Sequence, residues 1–430
     1  MKYGAWIALG AALSLGGFAV RDGAEAAKLK NLHDFCTTFS CPDGEFPASR
    51  LARDAQGNYY GTTENGGIQD SGSVFALERH GAKYKFKVLY DFCSKTDCRD
   101  GQFPKGDLVL GAGGELYGTT EGAGPHGGGT AFKLVPNASG RKWKLVTLYG
   151  FCVEAQCADG QSLNAGLSYR GLAEGAPYDG TSPLYGTTAY GGKNNGGTVY
   201  ELSFAGGETT HTILHDFCSE TNCADGREPL APVLVDAQGN LFGSVNYGGG
   251  FDENGGVVFE MTPDGDGFAF TALHRFCQLA DCADGKSVNN VAFSGNALIG
   301  STVFGGSSND GTVFKIVPRG ANSKETVLYD DFCPLDNCFD GALVGPVVID
   351  GNGDIYGSTS EGGAHSAFAG TIFKLHGKNK TVIYDFCAKE DCTDGPGLAA
   401  APALDPDGRI FGVTRYGGVS SGGSAFVLTP

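Results

Sequence analysis

The chain has 430 residues, 71 of them glycine, with 41% hydrophobic and 18% charged. Glycine at that level without a triplet period excludes collagen and disfavours long helices, because interior glycines weaken them, and the apolar content excludes intrinsic disorder. A formal net charge of −17 sets the surface against nucleic acid and anionic membranes, which need basic faces to hold them.

Residues 1–27 read as a secretory signal peptide. Met1-Lys2 supplies the positive start, Ala5–Val20 carries no charge, and Ala24-Glu25-Ala26-Ala27 offers an A-x-A cleavage site. The apolar run falls short of the ~20 residues that span a bilayer. After cleavage the mature chain is expected to be secreted or periplasmic, with no membrane insertion.

Residues 28–430 read as a single domain of seven repeats of roughly 58 residues. The phrase Leu/Ile-Tyr/His-x-Phe-Cys-x4-Cys-x-Asp-Gly recurs seven times, with one extra residue, Asp330, in the sixth copy. Its first cysteines are Cys36, Cys93, Cys152, Cys218, Cys277, Cys333 and Cys387. An aromatic-Gly-Thr/Ser-Thr phrase follows in most units, as at Tyr60–Thr63, and then a Gly-Thr-Val-Phe-like phrase, as at Gly311–Phe314. Within one unit, four short strands are expected: Pro232–Val235, Leu241–Val245, Val257–Met261 and Phe270–Phe276. Short β-branched and aromatic runs between Gly, Asn and Asp turns carry that signal. Four strands over ~50 residues match a propeller blade. After Cys387 only three strands follow, at Ala401–Leu404, Ile410–Thr414 and Ala425–Leu428, while Leu29–Phe35 is left over at the start. Pairing those two ends gives an all-β, closed seven-bladed β-propeller. Residues 171–183 form the one sizeable insertion, expected as a surface loop on the face opposite the cysteines or as a partner contact.

Units such as Gly239-Asn240-Leu241-Phe242-Gly243-Ser244, followed by Tyr247-Gly248-Gly249 and Gly256-Val257-Val258-Phe259, resemble the GloVer (Gloeo/Verruco) tandem repeat of secreted bacterial proteins. The resemblance covers essentially the whole mature chain and implies β-propeller-like repeats and an extracytoplasmic location. It implies no activity. Two departures stand out: the Cys-x4-Cys loops, where such repeats often have glycine-rich stretches, and the lack of the C-terminal anchor that some members carry.

The 14 cysteines all lie in these loops. An even count at fixed spacing in a secreted chain implies disulfides, and neighbours make the simplest pairs: Cys36–Cys41, Cys93–Cys98, Cys152–Cys157, Cys218–Cys223, Cys277–Cys282, Cys333–Cys338 and Cys387–Cys392. Zinc and redox centres favour a tighter Cys-x2-Cys, so no metal is assigned to them. Asp350-Gly-Asn352-Gly-Asp354 resembles half a calcium loop, but Ile355 stands where such loops need glycine. A turn is expected there, with calcium as the one cofactor left open. Gly418–Gly422 matches Gly-x-Ser-x-Gly but lies in a repeat loop rather than a strand-to-helix elbow.

If the strands run up and down, one face gathers the disulfide loops, the Asp-Gly turns and the Gly-Gly loops. Its candidate binding residues are Tyr190, Tyr247, Phe304 and Tyr416 as stacking surfaces, Asp225 and Asp284 as hydrogen-bond acceptors, and the non-repeated His126, His365 and Glu361. The competing reading is that Asp-Gly is a turn and Tyr-Gly-Gly packs blades. No catalytic residue emerges. The expectation is a binding or scaffold propeller for a glycan or other extracellular macromolecule. The alternatives are a metal-dependent hydrolase or lactonase with a central-channel cation, and an envelope-associated structural protein.

Overall fold

A computed structural model describes residues 27–430 apart from 174, 251–254, 266, 334–337 and 367. The expected signal peptide, Ala27 excepted, lies outside the described residues. Within the described residues, seven antiparallel sheets follow one another along the chain. The fourth blade is representative, with strands Leu234–Val235, Leu241–Val245, Val257–Asp264 and Gly267–Arg275 in that spatial order. Its second strand is buried at every position, whereas the fourth begins with alternating exposed and half-buried residues and is half-buried for the rest of its length apart from the buried Leu273. That gradient is what a blade needs when its inner strands are covered on both faces and its last strand meets solvent.

The ring closes through both ends of the chain. Lys28–Asp34 pairs antiparallel with Ser424–Thr429, in register Leu29↔Leu428 and Asp34↔Ser424, and completes the seventh blade beside Ile410–Thr414 and Ala403–Leu404. No long free edge is left at this seam.

Seven hydrophobic clusters hold the ring, one at each seam between blades. The phenylalanine before each first cysteine is the common element. Phe217 leaves the third blade and sets its ring 5.5 Å from Phe259 on the third strand of the fourth. Phe35, Phe92, Phe151, Phe276, Phe332 and Phe386 make the same contact at the other seams, with Tyr200 replacing phenylalanine at one of them. The glycine of the second-strand phrase makes room for that ring: a Cβ on Gly243 would stand 2.4 Å from Phe259 Cζ. The repeated Thr/Ser residues also have a structural role. Thr302 and Thr312 hydroxyls meet at 2.9 Å in the core, as do their equivalents in five other blades. In the fourth blade both positions are valine, Val245 against Val257, which leaves no hydroxyl unpaired.

The third blade departs from the pattern. Its sheet has three strands, Leu184–Thr188, Thr198–Ala205 and Glu208–Asp216, and the missing first strand is reduced to a bridge between Ser168 and Tyr185. The insertion is not a free surface loop. Tyr178 is fully buried in the cluster between the second and third blades, and its backbone pairs with Leu110 and Ala112 of the second.

Candidate functional site

The seven expected disulfides are present, and none of the described cysteines is free. All 14 cysteines sit at positive φ, between 43° and 69°. Such a backbone is uncommon outside glycine and persists only where its surroundings over-determine it. The loop Cys218–Gly226 shows what does so. Cys223 carbonyl accepts from Gly226 N at 2.8 Å and from Gly249 N at 3.0 Å, which ties the loop to the Gly-Gly turn of the next blade. Two residues on, Glu228 N reaches back to Gly196 O of the preceding blade at 2.9 Å. Phe46 N→Gly422 O, at 2.9 Å, repeats this across the closing seam. The disulfide loops and Gly-Gly loops therefore share one face and stitch neighbouring blades.

In five copies the aspartate of the Asp-Gly turn, Asp100, Asp159, Asp225, Asp284 or Asp394, lies buried beneath its loop. Asp225 is 0% exposed. Its carboxylate accepts from Ser219 N, Ser219 Oγ and Glu220 N, and stands 3.1 Å from His215 Nε2. Burial pushes the Asp225 carboxyl up, and these donors more than offset it, so its pKa ends below the ordinary carboxylate value; Asp284, beside His274, is lowered in the same way. The histidine or tyrosine ten residues earlier is thus a donor aimed at the aspartate: Tyr90 OH meets Asp100 at 2.7 Å and Tyr384 OH meets Asp394 at 2.6 Å. A bulge one residue before this slot, at Leu214 or Leu273 for example, turns the side chain toward the loop. Of the nine candidate residues, Asp225 and Asp284 thus spend their oxygens on their own loops instead of facing a ligand.

The open part of this face is a band of aromatic and charged side chains. Tyr190 is 39% exposed and donates to Glu228 Oε2 at 3.3 Å. Burial, then Glu228, Tyr247 and Glu121, raise its pKa. The Arg227 guanidinium lies 5.8 Å from the Tyr247 ring centre, and the Lys286 ammonium 5.8 Å from that of Phe304. Tyr416, 50% exposed, meets Phe46 edge-on at 5.3 Å beneath Arg415.

Across the closing seam runs a ladder that local spacing did not announce. Arg415 of the seventh blade pairs with Glu64 of the first. Lys105, on the way into the second blade, bridges Glu64 at 3.2 Å and Glu121 at 2.7 Å. Burial pulls the Lys105 ammonium down, but the two carboxylates leave its pKa above the ordinary lysine value. Glu64, Glu121 and Arg415 occupy the position before the aromatic-Gly-Gly phrase, where other copies carry Ala189, Asn246, Val303 and Ser360. That break in the repeat was the available signal.

A model of the Gloeobacter/Verrucomicrobia repeat matches residues 14–180 and 168–345. The chain belongs to that repeat family. No curated protein matches its sequence. Among solved structures, the extracellular domain of the hybrid two component system BT4673 from B. thetaiotaomicron is similar, with a TM-score of 0.54 and 9% identity over 94% of this chain. This chain spans only 39% of that protein's length. A 6-phosphogluconolactonase from Bacteroides uniformis aligns over 80% of this chain and 84% of its own, at 12% identity and a TM-score of 0.45. The Trypanosoma rangeli sialidase in complex with the inhibitor DANA aligns over 94% and 59%, at 10% identity and 0.43. Identities this low speak to the fold alone.

In this Gloeobacter/Verrucomicrobia repeat protein the remaining candidates are scattered. His126 and His365 are both exposed, on Gly-Gly loops of the second and sixth blades. Glu361 fills the aromatic slot of the sixth blade, paired in register with Ala342, and raises the pKa of Asp310 after burial does so. Residues 350–354 form a turn in which Asp350 Oδ1 accepts from Asn352 N and Asp354 N, both at 2.9 Å, while Asp354 pairs with Lys374 at 2.6 Å. Among the described residues, one grouping of potential metal ligands stands close enough to share an ion: Cys36, Cys41 and Glu45. Its two sulfurs are already bonded to each other.

Proposed function

We propose that this protein is a secreted or periplasmic binding propeller, and that its disulfide face recognises a glycan or another hydroxyl-rich extracellular macromolecule. The observation that carries this is one open band on that face, where the repeat aromatics Tyr190, Tyr247 and Tyr416 stand with the charges Arg227, Lys105 and Arg415 beside them. Aromatic faces stack on sugar rings, and flanking charges orient hydroxyls. Seven disulfides, which persist in oxidising compartments, support the location.

A glycan array probed with the purified mature chain tests the reading. Binding that falls at least roughly tenfold in Tyr247→Ala, as loss of a stacking contact requires, supports it. An array without a hit, or a hit indifferent to Tyr190→Ala and Tyr247→Ala, overturns it.

A further inference from the structure

Repeat symmetry makes the blades controls for one another, and one seam fails to match its control. The second and sixth blades carry the same trio at the same positions: Glu115, Tyr117 and Lys133, against Asp354, Tyr356 and Lys374. Both lysines lie across a strand pair from their tyrosine, with the ammonium 5.2 Å from the ring centre in each. In the sixth blade the trio is closed, because Lys374 pairs with Asp354 at 2.6 Å.

In the second blade it is open. Glu115 accepts from Gly113 N in its own turn and stands 3.9 Å from Lys133. Tyr117 is 2% exposed, yet its buried hydroxyl has no hydrogen-bond partner. The tyrosine of the same slot in the first blade does have one, since Tyr60 donates to Asp54 Oδ2 at 3.0 Å. An orphaned buried hydroxyl costs about 1–3 kcal/mol, so an open trio is not a neutral substitution.

A cavity of about 350 Å³ accompanies it, between the second and third blades. Tyr117, Lys133 and Thr147 form one wall, and Phe204, Thr209 and the acidic Glu208 the other. Gly180, from the insertion found only in the third blade, closes one side. A Cβ there would lie 3.6 Å from the Tyr117 hydroxyl. The volume is at the lower end of the ~300–1,000 Å³ range of small-molecule sites, and the mix of apolar walls with a few converging donors is their usual chemistry.

We propose that this cavity binds a small carboxylate with an apolar body, its carboxylate held between the Lys133 ammonium and the Tyr117 hydroxyl and its body against Phe204. Both groups donate, so an oxyanion completes them, and the apolar walls between Val146 and Phe204 exclude a fully hydrated ion. The site is separate from the disulfide face and does not depend on the function proposed for it.

The experiment is calorimetric titration of the mature protein with 3-phenylpropionate and, in parallel, with 3-phenylpropionamide. The acid is expected to bind with a Kd below about 1 mM. The amide should bind roughly tenfold more weakly, the loss of one charge-assisted hydrogen bond. Lys133→Met and the cavity-filling Thr147→Trp should each abolish binding, and Lys374→Met in the sixth blade should leave it unchanged. No heat with the acid, equal affinity for acid and amide, or a Lys374→Met effect as large as that of Lys133→Met would overturn the proposal. Should the Lys133 variant fail to fold, the acid–amide difference on the unaltered protein decides the matter.

Discussion

Two loops built on the same Phe-Cys-x4-Cys-x-Asp-Gly phrase behave differently. Beneath the loop that enters the fourth blade, Asp225 is fully buried and gathers donors from His215, Ser219 and Glu220. In the loop that enters the sixth, Asp330 lengthens the interval between Tyr329 and Asp340 by one residue. Tyr329 then donates to Asp331 O, and Asp340 turns to Lys380 Nζ at 2.7 Å. Spacing, more than residue identity, makes the cap. A ten-residue interval places donor and acceptor on the same side of the bulge, and an eleven-residue interval does not.

The sharpest way to break this comparison is to remove each aspartate. Asp225→Ala should cost about 3 kcal/mol, since it strands several buried donors. Asp340→Ala, whose one side-chain partner among the described residues is the nearly buried Lys380, should cost less, about 1–2 kcal/mol, because one donor rather than several loses its acceptor. Urea unfolding midpoints compare the two, and equal losses would refute the spacing argument. The acid limb carries the same information. Asp225 and Asp284 have folded pKa values below their unfolded ones, so their contribution is complete above pH ~4 and is lost as pH falls through the lowered values. The Asp225→Ala variant should therefore lose less of its stability between pH 5 and pH 2 than the unaltered chain.

Deleting Asp330 runs the comparison in reverse. The deletion restores the ten-residue interval and should let Tyr329 reach Asp340, for a gain of about 1 kcal/mol in the same unfolding assay. A loss would mean that the Lys380–Asp340 pair outweighs the cap.

A smaller effect sharpens the picture at the position four residues before the donor slot, where each fourth strand leans on the previous blade. Phe86 and Phe270 stack on His33 and His215 there, whereas the third and fifth blades carry His211 and Glu325. Burial lowers the His211 pKa to about 4 and raises that of Glu325 to about 7. The two act in opposite directions. Stability tied to His211 falls as pH drops from ~6.5 toward 4, and stability tied to Glu325 falls as pH rises from ~4.5 toward 7. His211→Phe should thus stabilise the protein at pH 5 more than at pH 8, and Glu325→Leu the reverse, read as shifts in melting temperature.

Much of this architecture was legible because a repeat states each position seven times. The strands Leu241–Val245 and Ile410–Thr414 fall where alternation and turn residues put them, and the closing strand followed from counting three strands after Cys387. The cysteine pairs followed from number and spacing. The interchange of histidine and tyrosine in the repeat phrase, as at His33 and Tyr90, is visible in the sequence, but its reason is not, because the two residues share only a donor at one distance from an aspartate. The Glu64–Lys105–Glu121–Arg415 ladder ties the seventh blade to the first and second, so its only signal was the break in the repeat at Glu64, Glu121 and Arg415, and the pairing itself needed the closed ring. The insertion misled for a related reason: Tyr178 looks like a loop residue until the second blade supplies its pocket.

The pairing of Lys28–Asp34 with Ser424–Thr429 has a consequence for how the molecule is made. The Lys28–Asp34 segment must wait for a partner from the seventh blade before its hydrogen bonds can form, so the ring closes only after all seven blades have emerged. A chain exported through a narrow pore as an extended thread would meet no obstacle from a prematurely locked ring. A circular permutant with new ends in an outer hairpin would lose that delay while keeping every native contact.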